Sequence, residues 1–246
     1  MPAAVPEAHH RRQLQATAAD IGVVLTDDVI DHLMAYLQLL QRWNRVYNLT
    51  SLRNPDEMLS HHLADCLAVI PALRRQAASL PRHQADGQLR LLDVGSGGGL
   101  PGAVLAIVEP TWQVSCVDTV AKKATFIRQV AAELRLPNLH GLHARVEALG
   151  PAARRFDLVT SRAFASLADF TALSRGALAP QGIWMAMKGK PPSDEQAALP
   201  ADVQVFHVEQ LQVPGLNAQR CLVWLRPNEP FSTGDTPGHG QSFLHR

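Results

Sequence analysis

Two acidic residues flanking a glycine-rich turn are the first sign of chemistry. Leu89 to Val94 is an apolar run of strand length, and five of the next eight residues, Gly95 to Gly102, are glycine. A chain leaving a buried strand into such a turn exposes its backbone to a ligand. The segment Pro101 to Glu109 that follows reads as a helix whose free N–H groups point back at the same place. Gly97 to Gly102 fits G-x-G-x-x-G, the dinucleotide fingerprint, but Asp93-x-Gly95-x-Gly97-x-Gly99 fits the S-adenosylmethionine loop of methyltransferases as well. Asp93 favours the second. A carboxylate there would meet the pyrophosphate of NAD with like charge, whereas the ammonium and sulfonium of S-adenosylmethionine are cations. The next strand ends in Asp118, placed to accept both ribose hydroxyls.

The elements that position these groups alternate. Strands are expected at 89–94, 113–117, 139–143, 156–160 and 183–187, with helices at 102–108, 120–135 and 166–178, which predicts a parallel sheet covered on both faces. Two further runs, 203–213 and 220–225, are joined by Pro214-Gly215-Leu216-Asn217-Ala218 and read as a hairpin, so the last strand runs antiparallel to the others. The whole is a Rossmann-like class I methyltransferase fold, with a mostly parallel seven-stranded sheet, an antiparallel last strand and an N-terminal helical segment.

That segment is expected over residues 13–80. A short helix runs from Leu14 to Ile21; a longer one starts behind Thr26-Asp27-Asp28 and buries Ile30, Leu33, Met34, Leu37 and Leu40. Asn54-Pro55-Asp56-Glu57 starts a third helix, which Pro71 ends. Its buried face takes in Met58, Leu59, His62, Leu63, Cys66, Leu67 and Ile70, so His62 is a core histidine by default and a functional one second. Residues 74–88 read as the boundary to a catalytic domain at 88–227, while 1–12 and 228–246 carry the composition of disordered tails.

Ligands of an open parallel sheet bind beyond the carboxyl ends of its strands. That rule brings the Gly95–Gly102 loop, Asp118, Val146-Glu147, Arg162 and Lys188-Gly189-Lys190 to one edge, and the antiparallel strand brings Arg220 there too. An adenine could rest on Val120 and Val146, while Glu147 reads equally as ligand contact or helix cap. Arg162 and Lys188 are the candidates for orienting a substrate. The loop after the fourth strand, Thr160-Ser161-Arg162-Ala163-Phe164, lacks the Asn/Asp-Pro-Pro-aromatic turn of amine methylation and the cysteine of cytosine C5 methylation. An aromatic ring nitrogen such as guanine N7 needs no base, because its own lone pair attacks the methyl group. Arg162, Lys188, Lys190 and Arg220, with Asn48, Arg53 and His62 from the helical segment, would form either a basic lip for RNA phosphates or an ordinary solvated rim.

Composition sets limits. Lys+Arg of 23 against Asp+Glu of 22 gives a net charge of +1, so a nucleic acid must be met by a local patch. No run approaches a membrane span or a signal peptide, which implies a cytoplasmic protein. Cys66, Cys116 and Cys221 read as small buried hydrophobes, and the 11 His show no metal-ligand spacing.

From about Leu25 to Arg226 the chain resembles the small-subunit ribosomal RNA methyltransferase G family, also called glucose-inhibited division protein B. The likeness rests on Trp43-Asn44 with Tyr47-Asn48-Leu49-Thr50-Ser51, on Asn54 to Leu59 and His62, and on Leu92 to Gly95 through Gly99 to Gly102. It continues through Arg145-Val146-Glu147, Ser161 to Leu167, Lys188-Gly189 and Leu211 to Pro214. His61 stands where that family usually has Arg, and Cys66 where it has Ser. The resemblance implies S-adenosyl-L-methionine at Gly95, Leu100, Val146-Glu147 and Arg162, with Asp118 on the ribose. It implies methylation of guanine N7 in 16S rRNA, free or in a small-subunit particle, by a monomer without metal. A methyltransferase for small molecules or proteins, with the helical segment as a lid, is the second reading; an NAD-binding protein is the third.

Overall fold

The computed structural model describes residues 4–81, 87–149, 156–162, 164 and 166–228, without the side chains of 4–6. The chain opens with helix α1 (Ala4–Asp20), which corrects the expectation of an unstructured 1–12: His10 is buried and hydrogen-bonds Asp56 at 2.6 Å, and Leu14 is in the core. Helix α2 (Asp27–Tyr47) is capped by Thr26, whose side chain accepts from the Val29 N–H, and carries Asp27 and Asp28 at its positive end. Its apolar stripe is buried as its spacing predicts, and it stops where Asn48 adopts a left-handed conformation, φ 50°.

Helix α3 (Pro55–Met58) starts with Asn54 accepting the Asp56 N–H and Pro55 in the first turn. It passes into a turn of π-helix, Leu59–Ala64, and then α4 (Asp65–Leu67). All seven residues expected on its inner face are buried. The helix ends before Pro71, which instead lies in the first turn of α5 (Ile70–Ser79), where its missing N–H is harmless. Residues 74–79 are therefore helical, and the proposed boundary is shorter than its composition suggests.

The sheet contains β1 (Arg90–Val94), β2 (Gln113–Asp118), β3 (Leu139–His143), β4 (Phe156–Ser161), β5 (Leu178–Lys188), β6 (Val203–Leu211) and β7 (Arg220–Pro227). Helices α6 (Gly102–Val108), α7 (Ala121–Glu133), α8 (Leu167–Ser174) and α9 (Ser193–Ala197) connect them. The strand order is β3-β2-β1-β4-β5-β7-β6, parallel except for β7, which lies antiparallel between β5 and β6. The hairpin and its orientation are as expected. Strand β5 starts five residues earlier than the apolar run at 183–187 indicates. Leu178 pairs with Phe156, and the register then jumps to Ile183 opposite Leu158, so Pro180-Gln181-Gly182 are absorbed as an irregularity inside the strand. The helix expected to reach 178 gives way at Ser174 for the same reason.

Successive residues of β1 face opposite layers: Leu91 joins a core with α2, α6 and α7, and Leu92 joins one with α8. The first core runs from Leu14 in the helical segment to Trp224 in β7 without interruption, so the helical segment covers the sheet as one of its layers. Residues 229–246, expected to be a disordered tail, lie outside the described residues.

The helical layer also reaches the glycine turn. Tyr36 on α2 donates its buried hydroxyl to the Gly98 carbonyl at 2.6 Å. Tyr36→Phe leaves that carbonyl buried without this donor, at a cost of about 1–3 kcal/mol. Scanning calorimetry is expected to show Tm falling by about 2–4 °C per kcal/mol lost; an unchanged Tm would show that α2 does not hold the turn.

Candidate active site

The turn after β1 is fixed from below, beside and above. Asp93, with 0% exposure, accepts the Gly102 N–H on Oδ2 at 2.9 Å, tying the end of β1 to the start of α6. A Cβ at position 102 would collide with Cys116 Sγ and sit 2.9 Å from Asp93 Oδ2, so this contact requires glycine. Beside it, Gly97, at φ +57°, donates its N–H to Asp118 Oδ2 at 3.1 Å, while Asp118 Oδ1 accepts from the Val120 N–H at 2.9 Å. Tyr36 closes the turn from above. Gly99 serves packing, since a Cβ there would lie 2.5 Å from Ile127 Cδ1.

A cleft of about 440 Å³ opens beside this turn, lined by Gly95, Asp118, Ala144, Val146, Glu147, Phe164 and Leu173 among others. Each oxygen of the Asp118 carboxylate has accepted one backbone N–H and keeps acceptor capacity for a ribose hydroxyl. Val146 lies in the wall as expected, whereas Phe164 and Leu173 take the place foreseen for Val120, which does not line the cleft. Two more of the expected contact residues do not line the cleft. Leu100 is buried in the core on the side of α2, so its side chain is not in the cleft. Asp93 lies beneath the turn as its anchor and does not open onto the cleft. Its Oδ1 has no hydrogen-bond partner among the described residues, and neither has Thr160 Oγ1 across the β1–β4 pairing. Burial accordingly raises the Asp93 pKa to about 7, against the lowering effect of the Gly102 N–H and of Arg162.

Arg162 is directed away from this cleft, contrary to its place among the cofactor contacts. It lines a second pocket of about 310 Å³, between the helical segment and the ends of β5 and β7, with Ser51, His62, Asp65, Lys188 and Arg220. Arg162 lines this second pocket, whereas Phe164, two positions on, lines the cleft. Here the expected basic lip is largely neutralised. Arg220 donates from Nε to Asp65 Oδ1 at 2.8 Å, and Arg162 stands 3.6 Å from Asp65 Oδ2 while donating to the His61 carbonyl at 3.3 Å. Lys188 holds both oxygens of Glu195, at 2.9 and 3.0 Å, and Glu195 also accepts the Leu167 N–H that opens α8.

His62 is no cation either. It is buried, shares a 2.8 Å hydrogen bond between Nε2 and Thr50 Oγ1, and has its pKa lowered to about 4 by burial and by the charge of Arg162. Arg53 is exposed and donates to Asn48 Oδ1 at 3.1 Å; Lys190 is exposed. Sequence reading missed Asp65, Glu195 and Tyr36. Asp65 lies in a helical run whose inner residues other than His62 are apolar, and Glu195 sits in a stretch that reads as plain surface. Among the described residues no group of three His, Cys, Asp or Glu is placed to hold a metal ion, and no helix is long and apolar enough to cross a membrane.

Comparison with known proteins matches the sequence model of GidB, rRNA small subunit methyltransferase G, over residues 29–223. The chain belongs to the rRNA small subunit methyltransferase G family. Ribosomal RNA small subunit methyltransferase G of Acidovorax sp. (strain JS42) is 62% identical over 216 residues, covering 87% of this chain and 94% of that protein. The protein of the same name from Polaromonas naphthalenivorans (strain CJ2) is 56% identical over 224 residues, covering 91% and 99%. Among solved structures, TrmN from Thermus thermophilus is similar with a TM-score of 0.48 and 21% identity, over 69% of this chain and 53% of that one. TrmK of M. capricolum, solved with S-adenosyl-homocysteine, is similar with a TM-score of 0.48 and 11% identity, over 65% and 69%.

Two of the buried titratable groups, Asp93 and His62, oppose each other in pH. The folded protein keeps a proton on Asp93 up to about pH 7, whereas the unfolded chain releases it near the ordinary carboxylate value of about 4. The stability Asp93 contributes is therefore complete below about pH 4 and lost as pH rises towards 7. His62 has the reverse sign: the unfolded chain binds a proton below about 6.5 that the folded protein takes up only near 4, so its contribution is lost as pH falls. Between about pH 4.5 and 6.5, relative to wild type, Asp93→Asn makes Tm rise more steeply with pH and His62→Gln makes it fall. Calorimetry across that range checks both, and slope changes of the same sign would contradict the assignment.

Proposed function

We propose that this chain transfers the methyl group of S-adenosyl-L-methionine to N7 of a guanine in 16S rRNA. The observation that carries the reading is a pair of pockets, a nucleoside cleft lined by Phe164 and a polar pocket lined by Arg162, in a member of an rRNA methyltransferase family. The cleft fits the cofactor: Gly95 offers backbone without a side chain, Asp118 keeps acceptor capacity for ribose hydroxyls, and Val146 with Leu173 gives apolar walls for adenine. When bound, S-adenosylmethionine supplies a methyl carbon on sulfonium; the N7 lone pair forms the new C–N bond as the C–S pair passes to sulfur, leaving a thioether and a cationic 7-methylguanine.

No proton moves in that transfer, so the site requires no general base. This agrees with a His62 made weakly basic, its pKa lowered to about 4, and with Lys188 held by Glu195. The residues contribute by placement: the anchored turn fixes the donor, and Arg162, on the loop after β4, orients the base. Residues 13–80 supply the outer wall of the acceptor pocket through Ser51, Leu52 and His62, which makes them the RNA-facing layer of the enzyme. Both pockets are built by one chain, so a monomer suffices.

Borohydride and aniline treatment of rRNA from cells with and without the gene tests the reaction, because strand scission reports 7-methylguanine. One scission in the 16S molecule should disappear with the gene; identical patterns would refute the reading. Exposed Lys190, next to pocket residue Gly189, is the cation best placed for a backbone phosphate. Lys190→Ala should leave cofactor affinity unchanged in calorimetry and lower the slope of log K for RNA against log salt by about 1. An unaltered slope would remove Lys190 from the interface.

A further inference from the structure

Among the described residues Asp65 is the one carboxylate lining the acceptor pocket, and neither the cofactor site nor the methyl transfer as described employs it. It follows directly on the π-helical turn 59–64, where its own N–H is taken by the His62 carbonyl, and its side chain is 4% exposed. π-Turns inside helices recur at functional sites. Arg220 occupies Oδ1 at 2.8 Å, whereas Oδ2 lies 3.6 Å from Arg162, beyond hydrogen-bond distance. A carboxylate offers about four acceptor positions, so both oxygens keep acceptor capacity beyond their contacts with the two arginines.

We propose that Asp65 is the group that selects guanine, by accepting from the N1–H and 2-amino edge of the base. The inference deepens the reading of this site as a guanine N7 methyltransferase and rests on it. Guanine presents two adjacent donors on its Watson–Crick edge, N1–H and the 2-amino group, with the acceptor O6 beside N1–H and N7 beyond it on the neighbouring edge. The pocket holds the matching set: an acceptor-only carboxylate, and the Arg162 guanidinium as a donor for O6. Adenine would turn the N1 lone pair towards Asp65, and uracil would flank its single N–H with two carbonyl oxygens, so both meet repulsion where guanine meets two hydrogen bonds. Leaving a buried carboxylate facing such an edge is costly, which makes discrimination by hydrogen bonding strong.

The same contact favours the reaction. Methylation at N7 places positive charge on the purine and makes N1–H a stronger donor, so its bond to Asp65 tightens in the transition state. The proton stays on N1 throughout, and Arg220 keeps the carboxylate oriented for it.

The test uses the full-length enzyme and ribosomal RNA in which the guanine located by strand scission is replaced, by splinted ligation, with inosine. Inosine keeps N7, O6 and N1–H and lacks only the 2-amino group. Wild type should lose about 10-fold or more in kcat/KM on the inosine RNA, the range expected for one hydrogen bond to a charged group. Asp65→Asn should bind S-adenosylmethionine as wild type does in calorimetry, lose at least about 10-fold on the guanine RNA, and treat guanine and inosine alike. A residue that merely holds Arg162 and Arg220 would lower both rates and leave their ratio at the wild-type value, which would overturn the proposal. So would a wild-type enzyme indifferent to inosine, and that comparison decides alone should the variant not fold. Failure of wild type to methylate the guanine RNA itself would count against the reaction and not against Asp65.

Discussion

One hydrogen bond, from the Gly102 N–H to the buried carboxylate of Asp93, joins the end of the central strand to the start of the helix behind it. The glycine turn is strung between those two points, and its shape depends on that bond being short and undisturbed. Cys116 and the absence of a side chain at 102 leave just enough room for it. Asp118 then catches Gly97 from the side and Tyr36 catches Gly98 from the helical layer, so three separate elements converge on a few residues of backbone. A turn held in this way presents its exposed edge without paying for order when the ligand arrives. Burial of Asp93 costs stability at neutral pH, and that cost sits where rigidity is needed.

Charge is arranged with similar economy on the acceptor side. A cluster of four cations and one carboxylate would repel itself and hold phosphates indiscriminately. The structure divides it into local pairs: Asp65 serves two arginines and Glu195 serves Lys188. What remains is a polar pocket of specific donors and acceptors, which suits a base, with Lys190 outside it, suited to a phosphate. An overall net charge of +1 agrees with recognition that is local.

Much of this was legible in the sequence because the relevant signals are local. Alternating apolar runs gave the strands, the glycine spacing gave the turn, and the Pro214–Ala218 linker gave the antiparallel hairpin. Residues legible only in part were those whose role depends on partners far along the chain. Asp93 was visible as an acid beside a turn, but its position under the turn depends on α6 and β2. Arg162 was visible at a strand end, but its direction depends on Asp65, 97 positions earlier in the chain. Pro71 misled because a proline read as a stop is equally at home in the first turn of a new helix. Residues 4–12 read as part of an unstructured tail because their composition hides the contact between His10 and Asp56.

A crystal structure with S-adenosylhomocysteine tests the central claim most directly. The nucleoside should lie in the cleft beside Gly95, with its ribose hydroxyls on Asp118 and its adenine between Val146 and Leu173, and the Asp93 to Gly102 bond should be unchanged. A ligand bound elsewhere, or one that breaks that bond in order to enter, would contradict the preformed turn on which the catalytic reading stands.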